Sequence, residues 1–260
     1  MPEAQELLVQ RITDRVLSEL EAEFPAAAPL ALADDEPSTA HPVARLIDHT
    51  LLKATASECE FRVLCEEARS FGFASVCVPP SWVGLCADLL RDARPKVCTV
   101  VGFPLGNTST AAKAFETAQA IADGAGEIDM VLPIGRLMSG DYREVADDIR
   151  AVVDAAEGRL VKVIIETVYL NEEQKIVGSV LSKACGAQFV KTSTGMAGAG
   201  ATVEDVALMR RVVGPAFGVK AAGGVRTLAD AEAMIKAGAN RLGTSGGVAI
   251  VQGEKTSGGY

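Results

Sequence analysis

The chain has 260 residues, of which 48% are hydrophobic, and a formal net charge of −9. A chain this long and apolar can bury a sizeable core, so we expect a globular protein with one large domain or two small ones. The acidic balance argues against nucleic acid or an anionic membrane as the main partner, because both repel a negative surface.

Cellular location and metal content can also be predicted from composition. No apolar run approaches the roughly 20 residues of a membrane span, and the start MPEAQELL lacks the basic flank and apolar core of a secretory signal. We therefore expect a cytoplasmic protein. The six cysteines are irregularly spaced and there are only two histidines, which suits neither a zinc site nor a disulfide framework. No metal is predicted, and the thiols are expected to be reduced.

The first elements are a helix and a linker. Residues 3–24 carry Leu8, Ile12, Val16 and Leu20 at helical spacing between charged residues, which predicts an amphipathic helix. Its apolar stripe could cap the main domain, which we favour, or form a contact arm in a homodimer. Residues 25–42 are rich in proline, alanine and acids, as is typical of a linker. The predicted division is a helix and linker over 1–42 and a main domain over 43–260.

From residue 43 onward, short apolar runs alternate with helical patterns. Gly72, Gly124, Gly186 and Gly238 each follow a helical segment and precede an apolar run by two or three residues. Glycine suits the left-handed residue that ends a helix. The near-constant spacing of roughly 50–60 residues is about twice one strand-plus-helix unit. A further strand is therefore expected within each interval.

These further strands are predicted at 46–50, 97–101, 160–165 and 218–221. With the runs that follow the four glycines they make eight strands, each followed by a helix. This count predicts a (β/α)8 TIM barrel with an N-terminal helical extension. An open doubly wound sheet is the alternative, but no Gly-x-Gly-x-x-Gly follows the first strand, where a dinucleotide site would need it.

Several predicted strands carry charged residues, although barrel strands covered on both faces are normally apolar. The period-two alternation of a strand places these residues on inward faces. A set of mutually neutralising ion pairs is one explanation. A functional site is the other, and we favour it because a buried ion network is a weak source of stability. The inward residues are predicted to be Glu127, Asp129, Glu166, Lys162, Lys191 and Lys220.

Lys191 and Lys220 lie near the ends of adjacent predicted strands, Lys191 just before a run of small polar residues. Two ammonium groups near one end of a barrel repel each other, so one lysine is expected to be neutral. A neutral amine adds to a carbonyl, and the resulting iminium withdraws electrons from the neighbouring carbon–carbon bond. Asp129 is suited to shuttle protons. The alternative is that Lys191 reaches from the strand end into solvent.

Glycines follow both the seventh and the eighth predicted strand. Many barrels bind phosphate at these two places, through backbone N–H groups and a helix N-terminus. The hydroxyls of Thr194 and Ser245 and the guanidinium of Arg226 could complete such a site, and a phosphorylated small molecule is the predicted partner. The predicted phosphate site comprises Gly223, Gly224, Gly243, Gly246, Arg226, Thr194 and Ser245.

Seven segments, in order, resemble those of deoxyribose-phosphate aldolase. The resemblance covers residue 43 to the end and leaves out the helix and linker. It implies a class I aldolase, without metal or other cofactor, that reversibly splits 2-deoxy-D-ribose 5-phosphate into acetaldehyde and D-glyceraldehyde 3-phosphate. The segments are LIDHTLLK (46–53), VVGFPLG (100–106), EIDMV (127–131), KVIIET (162–167), FVKTSTG (189–195), VKAAGGVRT (219–227) and RLGTS (241–245).

The resemblance also implies a role for each matched residue. Lys191 would form the Schiff base, Lys220 would be the second lysine that keeps it unprotonated, and Asp129 would relay protons. Asp48 and Cys77 would line the pocket near the substrate hydroxyls, although Cys77 could equally be a small buried strand residue. The residues assigned to substrate binding are Asp48, Cys77, Lys162, Thr194, Gly223, Gly224, Arg226, Gly243, Ser245 and Gly246.

Two further positions, Met196 and Tyr260, bear on phosphate binding and proton transfer. Met196 stands where some family members carry a lysine that helps to hold phosphate, which implies weaker phosphate binding here. The chain ends in a glycine-rich segment with Tyr260, and some family members use such a tyrosine to assist proton transfer. Tyr260 is therefore a further catalytic candidate, and an incidental tyrosine on a mobile tail is the alternative.

Two other functions stay open from the sequence. One is another phosphate-binding barrel enzyme, either a sugar-phosphate isomerase or a different Schiff-base aldolase, since such enzymes share the glycines after strands seven and eight. The other is a non-catalytic barrel that binds a metabolite, in which the lysines and acids would be an ion network only.

Overall fold

A computed structural model of the protein describes residues 2–25 and 41–254. All the strands are parallel and form one closed barrel in sequence order, in which the eighth strand pairs with the first. The (β/α)8 barrel is therefore confirmed, and the open sheet is excluded. The strands are β1 (Ile47–Thr50), β2 (Ser75–Val78), β3 (Lys96–Val101), β4 (Glu127–Val131), β5 (Leu160–Ile164), β6 (Phe189–Lys191), β7 (Gly218–Ala222) and β8 (Arg241–Thr244).

Helices surround this barrel and connect its strands. Short 3-10 turns precede β1 and lie after β2 and β5. The helices are α1 (Pro2–Leu20), α2 (Glu58–Phe71), α3 (Val83–Leu89), α4 (Thr110–Ala122), α5 (Ile134–Ser139), α6 (Tyr142–Ala155), α7 (Glu172–Ala184), α8 (Val203–Val213), α9 (Leu228–Ala237) and α10 (Gly247–Val251).

The four repeated glycines lie where the sequence predicts them. Gly72, Gly124, Gly186 and Gly238 have φ angles of 67°, 107°, 87° and 115°, in the region that favours glycine. Each lets the chain leave a helix and turn back to the next strand of the barrel. The repeat seen in the sequence therefore marks the helix-to-strand turns at the amino-terminal end of the barrel.

The N-terminal helix α1 packs on the outside of the barrel against α7, with smaller contacts to α6 and α8. Its residues Val9, Ile12 and Val16 are buried, and Arg15 reaches Glu173 on α7 at 2.6 Å. The apolar stripe is thus covered by the chain's own barrel, which favours the capping interpretation over a contact arm. Most of the predicted linker, residues 26–40, lies outside the described residues.

Among the helices of residues 2–25 and 41–254, none combines the length and the apolar character needed to cross a lipid bilayer.

Strand register places the charged residues inside the barrel. Lys191 and Lys220 are direct partners on β6 and β7, and Asp129 is the partner of Lys162 on β4 and β5. The amino-terminal end of the interior is filled by the ring of Phe189. A Cβ atom on Gly218 would lie 2.2 Å from that ring, so this strand position requires glycine. Lys191 and Lys220 lie two residues further along β6 and β7, and therefore stand above this apolar floor on the side of the strands' carboxyl ends.

Candidate active site

Lys191 and Lys220 contact the same carboxylate oxygen. The Nζ atoms of both lysines lie 2.7 Å from Oδ2 of Asp129. The two nitrogens are therefore no farther apart than the sum of these distances. Lys191 is only 3% exposed and Lys220 is fully buried, so the interpretation of Lys191 as a lysine reaching into solvent is wrong. The lysine pair and acid predicted from the sequence lie together.

The other oxygen of Asp129 is held from two sides. Oδ1 lies 2.8 Å from Nζ of Lys162 and accepts a hydrogen bond from the Cys98 thiol at 3.2 Å. Lys162 also contacts Glu127 at 2.6 Å. Each carboxylate oxygen of Asp129 is thus engaged, which fixes the plane of this group between β3, β5, β6 and β7.

Asp48 lies on the far side of Lys220. Its Oδ2 accepts a hydrogen bond from Lys220, while Oδ1 lies 2.7 Å from Nη1 of Arg241 and accepts a hydrogen bond from Ser75 at 2.7 Å. The sequence assigns Asp48 to the substrate hydroxyls. In this arrangement it orders Lys220 and Arg241, because both of its oxygens already have partners.

The predicted balance of three acids and three lysines needs correction. Glu166 lies two residues beyond the end of β5 with φ of 54°, and its carboxylate accepts hydrogen bonds from the backbone N–H and hydroxyl of Thr194. It joins the loop after β5 to the loop after β6, and within residues 2–25 and 41–254 it forms no ion pair with a lysine. Asp48 and Arg241 take part in the ion network instead.

Burial and charge act in opposite directions on the pKa values of the network. Burial by itself raises the pKa of Asp129, but the neighbouring ammonium groups, that of Lys162 first, hold it well below its ordinary value. Burial likewise lowers the pKa of Lys220, but Asp129 and Asp48 raise it above the ordinary value. The attraction between opposite charges therefore outweighs desolvation for both groups, and Asp129 and Lys220 remain ionised near neutral pH.

Asp48 and Arg241 behave in the same way. Burial raises the pKa of Asp48, yet Arg241, Lys220 and Lys162 bring it far below its ordinary value. Burial lowers the pKa of Arg241, and the carboxylates of Asp48 and Glu127 more than reverse that effect. Both groups are fixed charges at any physiological pH.

Cys77 lies inside the barrel, next to Cys98 in strand register. The hydrogen bond between the two thiols lowers the pKa of Cys77, whereas burial raises that of Cys98 well above the ordinary value. Cys77 is fully buried. Its position beside the lysine pair agrees with a pocket residue and equally with a small packing residue.

The glycines after β7 form a left-handed turn at the mouth of the barrel. Gly223 and Gly224 have φ of 80° and 81°, and Gly224 is exposed. A Cβ atom on Gly200, in the loop after β6, would lie 2.2 Å from the carbonyl oxygen of Gly223, and Ala201 donates a hydrogen bond to that oxygen at 3.0 Å. The loops after β6 and β7 are therefore in direct contact and hold each other in place.

Arg226 and Ser245 are exposed after β7 and β8, which are adjacent strands. The backbone N–H of Arg226 donates to Asp230 at 3.0 Å, and the same carboxylate caps the start of α9 by accepting from Thr227. This cap holds the backbone that carries Arg226. Gly243 lies within β8, and the N–H of Gly246 donates to the hydroxyl of Thr244 at 3.1 Å.

Thr194 is placed differently from the prediction. Its hydroxyl donates to Glu166 and accepts from the N–H of Met196 at 3.0 Å. A hydroxyl has one proton to donate, so this group has none left for a phosphate. Thr194 shapes the loop after β6, while Gly223, Gly224 and Arg226 follow β7, and Ser245 and Gly246 follow β8. Tyr260 lies outside the described residues.

Within residues 2–25 and 41–254, two groups of buried side chains have metal-ligand chemistry. Cys77, Cys98 and Asp129 form one, and Asp48, Cys98 and Glu127 form the other, with ligand atoms within 4.8 Å of each other. Lysine and arginine nitrogens already contact the carboxylates of both groups. A metal ion would have to displace these cations, so the groups fit an ion network better than a metal site.

Sequence reasoning missed Arg241 and Cys98. Arg241 begins β8 and is two residues from Gly243, so the period-two pattern alone could place both on the inward face. Cys98 and Val100 are also two residues apart in β3, so the same pattern places them on one face of that strand. Charged residues are normally expected on the outside unless they are paired. The sequence does not reveal that Arg241 is paired, because its partners Asp48 and Glu127 come from strands far away in sequence.

Comparison with known proteins finds one family over most of the chain. Residues 43–253 match the model of the DeoC/LacD family aldolases. A deoxyribose-phosphate aldolase of Halalkalibacterium halodurans is 60% identical over 220 residues, which cover 84% of this chain and 98% of the relative. That of Streptococcus uberis is 58% identical over 216 residues, covering 83% and 98%. Nearly all of each relative is therefore matched, and about a sixth of this chain is not.

Solved structures agree with these sequence matches. A chain from Coccidioides immitis is similar with a TM-score of 0.81 at 39% identity, covering 97% of each chain. The deoxyribose phosphate aldolase of Aeropyrum pernix, described as tetrameric, is similar with a TM-score of 0.76 at 32% identity, covering 81% of this chain and 89% of that one.

Proposed function

Because this chain belongs to the DeoC/LacD family of aldolases, we propose that it reversibly cleaves 2-deoxy-D-ribose 5-phosphate to acetaldehyde and D-glyceraldehyde 3-phosphate through an imine on Lys191. Cleavage of a carbon–carbon bond makes it an aldehyde-lyase. The observation that supports this most directly is the contact of Lys191 and Lys220 with one oxygen of Asp129 inside the barrel.

A count of charges indicates which lysine is the nucleophile. In the part of the chain that the structure describes, the buried network contains three acids and four bases, so it would carry one surplus positive charge if every group were ionised. An uncompensated buried charge costs several kcal/mol, and the network avoids that cost if one base releases its proton. The acids are Asp48, Glu127 and Asp129, and the bases are Lys162, Lys191, Lys220 and Arg241.

Lys191 is the base that can lose its proton at least cost. Lys162, Lys220 and Arg241 each contact two or more carboxylates. Among residues 2–25 and 41–254, the one carboxylate that Lys191 contacts is Asp129, whose Oδ2 it shares with Lys220. Lys191 is also the lysine of the network with measurable side-chain exposure, at 4%. It therefore combines the weakest hold on a proton with access from the mouth of the barrel.

The reaction follows from this arrangement. The neutral amine of Lys191 attacks the aldehyde carbon of the open-chain sugar, and loss of water gives an iminium. A base removes the proton of the C3 hydroxyl, the C2–C3 bond breaks, and its electrons move into the iminium to form an enamine, while glyceraldehyde 3-phosphate leaves. Protonation at C2 and addition of water then release acetaldehyde. Asp129 touches both lysine nitrogens and is placed to move protons among them and the substrate.

The phosphate end of the substrate would lie at the loops after β7 and β8. Lys220 is two residues from the end of β7, and Gly223 and Gly224 follow directly. The strand that holds the second lysine therefore also presents the glycine turn, which sets the distance between the reacting carbon and the phosphate. Arg226 and Ser245 supply an exposed guanidinium and hydroxyl there.

Borohydride trapping tests the proposal. The protein is mixed with 2-deoxyribose 5-phosphate or acetaldehyde, reduced with sodium borohydride, digested and analysed by peptide mass spectrometry. We expect a stable adduct on the peptide containing Lys191, and none in protein carrying Lys191→Met. Turnover without an adduct at Lys191 would exclude the imine. Consumption of glyceraldehyde 3-phosphate that depends on acetaldehyde separates this activity from that of a sugar-phosphate isomerase.

A second prediction concerns the phosphate. Arg226→Ala should raise KM for 2-deoxyribose 5-phosphate by roughly tenfold to a hundredfold, the value of one charge-assisted hydrogen bond of about 1.5–3 kcal/mol. The rate with unphosphorylated 2-deoxyribose should hardly change. Arg91→Ala is the matched control, because Arg91 is exposed before β3, at the opposite end of the barrel. If Arg226→Ala impaired the reaction of both sugars equally, the phosphate would have to bind elsewhere.

The cytoplasmic location, the homodimer and a catalytic role for Tyr260 remain predictions from the sequence.

A further inference from the structure

Arg241 is a buried charge for which the reaction steps above have no use. It enters the barrel from the start of β8, and Nη1 lies 2.7 Å from Oδ1 of Asp48 and 3.2 Å from Oε2 of Glu127. Its guanidinium lies 5.6 Å from the ring centre of Phe189, on the floor of the barrel. Arg241 is therefore too deep to contact a substrate at the mouth, and its partners are acids of the network.

A continuous line of alternating charges joins Arg241 to Lys191. Arg241 contacts Asp48, Asp48 contacts Lys220, Lys220 contacts Asp129, and Asp129 contacts Lys191. Every link is a direct contact between buried groups. The protonation state at one end of this line therefore depends on the charge at the other end.

We propose that Arg241 is a positioning residue that keeps Lys191 uncharged. Its fixed positive charge balances a carboxylate of the barrel that would otherwise be balanced by a protonated Lys191. With Arg241 present, three cations balance three carboxylates and Lys191 can stay neutral. Without it, three carboxylates face Lys162 and Lys220 alone, and Lys191 is the base left to take up a proton. The proposal rests on the imine chemistry proposed above.

Other titratable groups inside the barrel could respond to the same change. The thiol of Cys98 donates a hydrogen bond to Asp129 and therefore counts as neutral. The thiol of Cys77 hydrogen-bonds to Cys98 and is the group whose ionisation could compete with that of Lys191. The groups around Arg241 and Lys191 are Asp48 on β1, Cys77 on β2, Cys98 on β3, Glu127 and Asp129 on β4, Lys162 on β5 and Lys220 on β7.

The test is the pH profile of kcat/KM, whose acid limb reports groups of the free enzyme that must be unprotonated. Arg241→Gln should move the acid limb to higher pH by roughly one unit, the low end of the effect of a neighbouring charge. Arg241→Lys keeps the charge and should leave the limb within a few tenths of a unit. The double variant Arg241→Gln with Glu127→Gln removes one charge of each sign and should restore the original position.

Glu127→Gln alone should shift the acid limb of the pH profile in the opposite direction. It removes one negative charge, so the acid limb should move to lower pH. If Arg241→Gln fails to fold, Glu127→Gln and the double variant test the proposed role of Arg241 in its place. Repeating the series with Cys77→Ala excludes thiol ionisation as the cause. A limb that stays in place in Glu127→Gln, or in a folded Arg241→Gln with only a lower rate, would show that Arg241 is a packing residue.

A second readout does not require turnover. Labelling of Lys191 by acetaldehyde and cyanoborohydride, measured by peptide mass against pH, should shift in the same directions as the kinetic profile. It also separates the two proposals. If the wild-type protein is not labelled at Lys191, the imine mechanism fails. If the wild type is labelled but the variants show no shift, only the role of Arg241 fails.

Discussion

Protein carrying Lys191→Met should lose turnover by about five orders of magnitude or more and still fold. Methionine matches the length of lysine but cannot form an imine, so the covalent route is lost, and removal of a nucleophile is among the largest single effects on an enzyme. If Lys191 is the neutral member of the network, its loss removes one hydrogen bond to Asp129 and no charge. The free energy of unfolding should then fall by only about 1 kcal/mol.

The measurements are steady-state cleavage of 2-deoxyribose 5-phosphate and denaturant unfolding followed by circular dichroism. Lys236→Met is the matched control, because Lys236 is exposed on α9 outside the barrel; it should change neither quantity. Turnover that survives Lys191→Met would assign the imine to another lysine. A loss of several kcal/mol in stability would mean that Lys191 carries a charge in the resting protein.

Lys220→Met should damage both activity and stability. Lys220 lies between the Oδ2 atoms of Asp48 and Asp129, and all three groups are fully buried. Removing the cation leaves two carboxylates underpaired, and breaking a buried ion pair from one side costs about 3–5 kcal/mol. The contrast with Lys191→Met, a change of the same size on the neighbouring strand, isolates the effect of charge from that of volume.

Activity should fall for a different reason than in Lys191→Met. Without Lys220, the three acids are balanced only if Lys191 holds a proton, so imine formation at neutral pH should drop. Trapping of Lys191 with acetaldehyde should recover as the pH is raised, because the amine then loses that proton. The experiment is cyanoborohydride labelling of the variant from neutral to alkaline pH. If the variant is labelled as strongly as the wild type at neutral pH, Lys220 does not control the protonation of Lys191.

The barrel was predictable because its signals are local. Gly72, Gly124, Gly186 and Gly238 end helices within a few residues of the next strand, and left-handed backbone at such a turn selects glycine without reference to the rest of the fold. The alternation of Glu127 and Asp129 with apolar residues is equally local. Lys191 and Lys220 could be matched because Lys191 ends β6 and Lys220 lies two residues before the end of β7, and neighbouring parallel strands bring such positions together.

Glu166 shows the limit of such reasoning. Its spacing from Lys162 places both on one strand face, but that holds only while the strand continues. β5 ends at Ile164, and the left-handed backbone at Glu166 turns the side chain towards Thr194. Where a strand stops depends on the loop that packs against it, here the loop after β6, and no pattern within β5 contains that information.

The amino-acid sequence thus specifies the eight strand-and-helix units, the inward lysines and Asp129, and the family, since each of these rests on short-range spacing or on local motifs. The partners of those groups depend on the closed barrel. Arg241 and Asp48 are separated by 193 positions and meet only because β8 pairs with β1. The network's surplus of one base, from which we infer that Lys191 is neutral, exists only once that closure places Arg241 among the acids, because charge balance is a property of a shared buried volume.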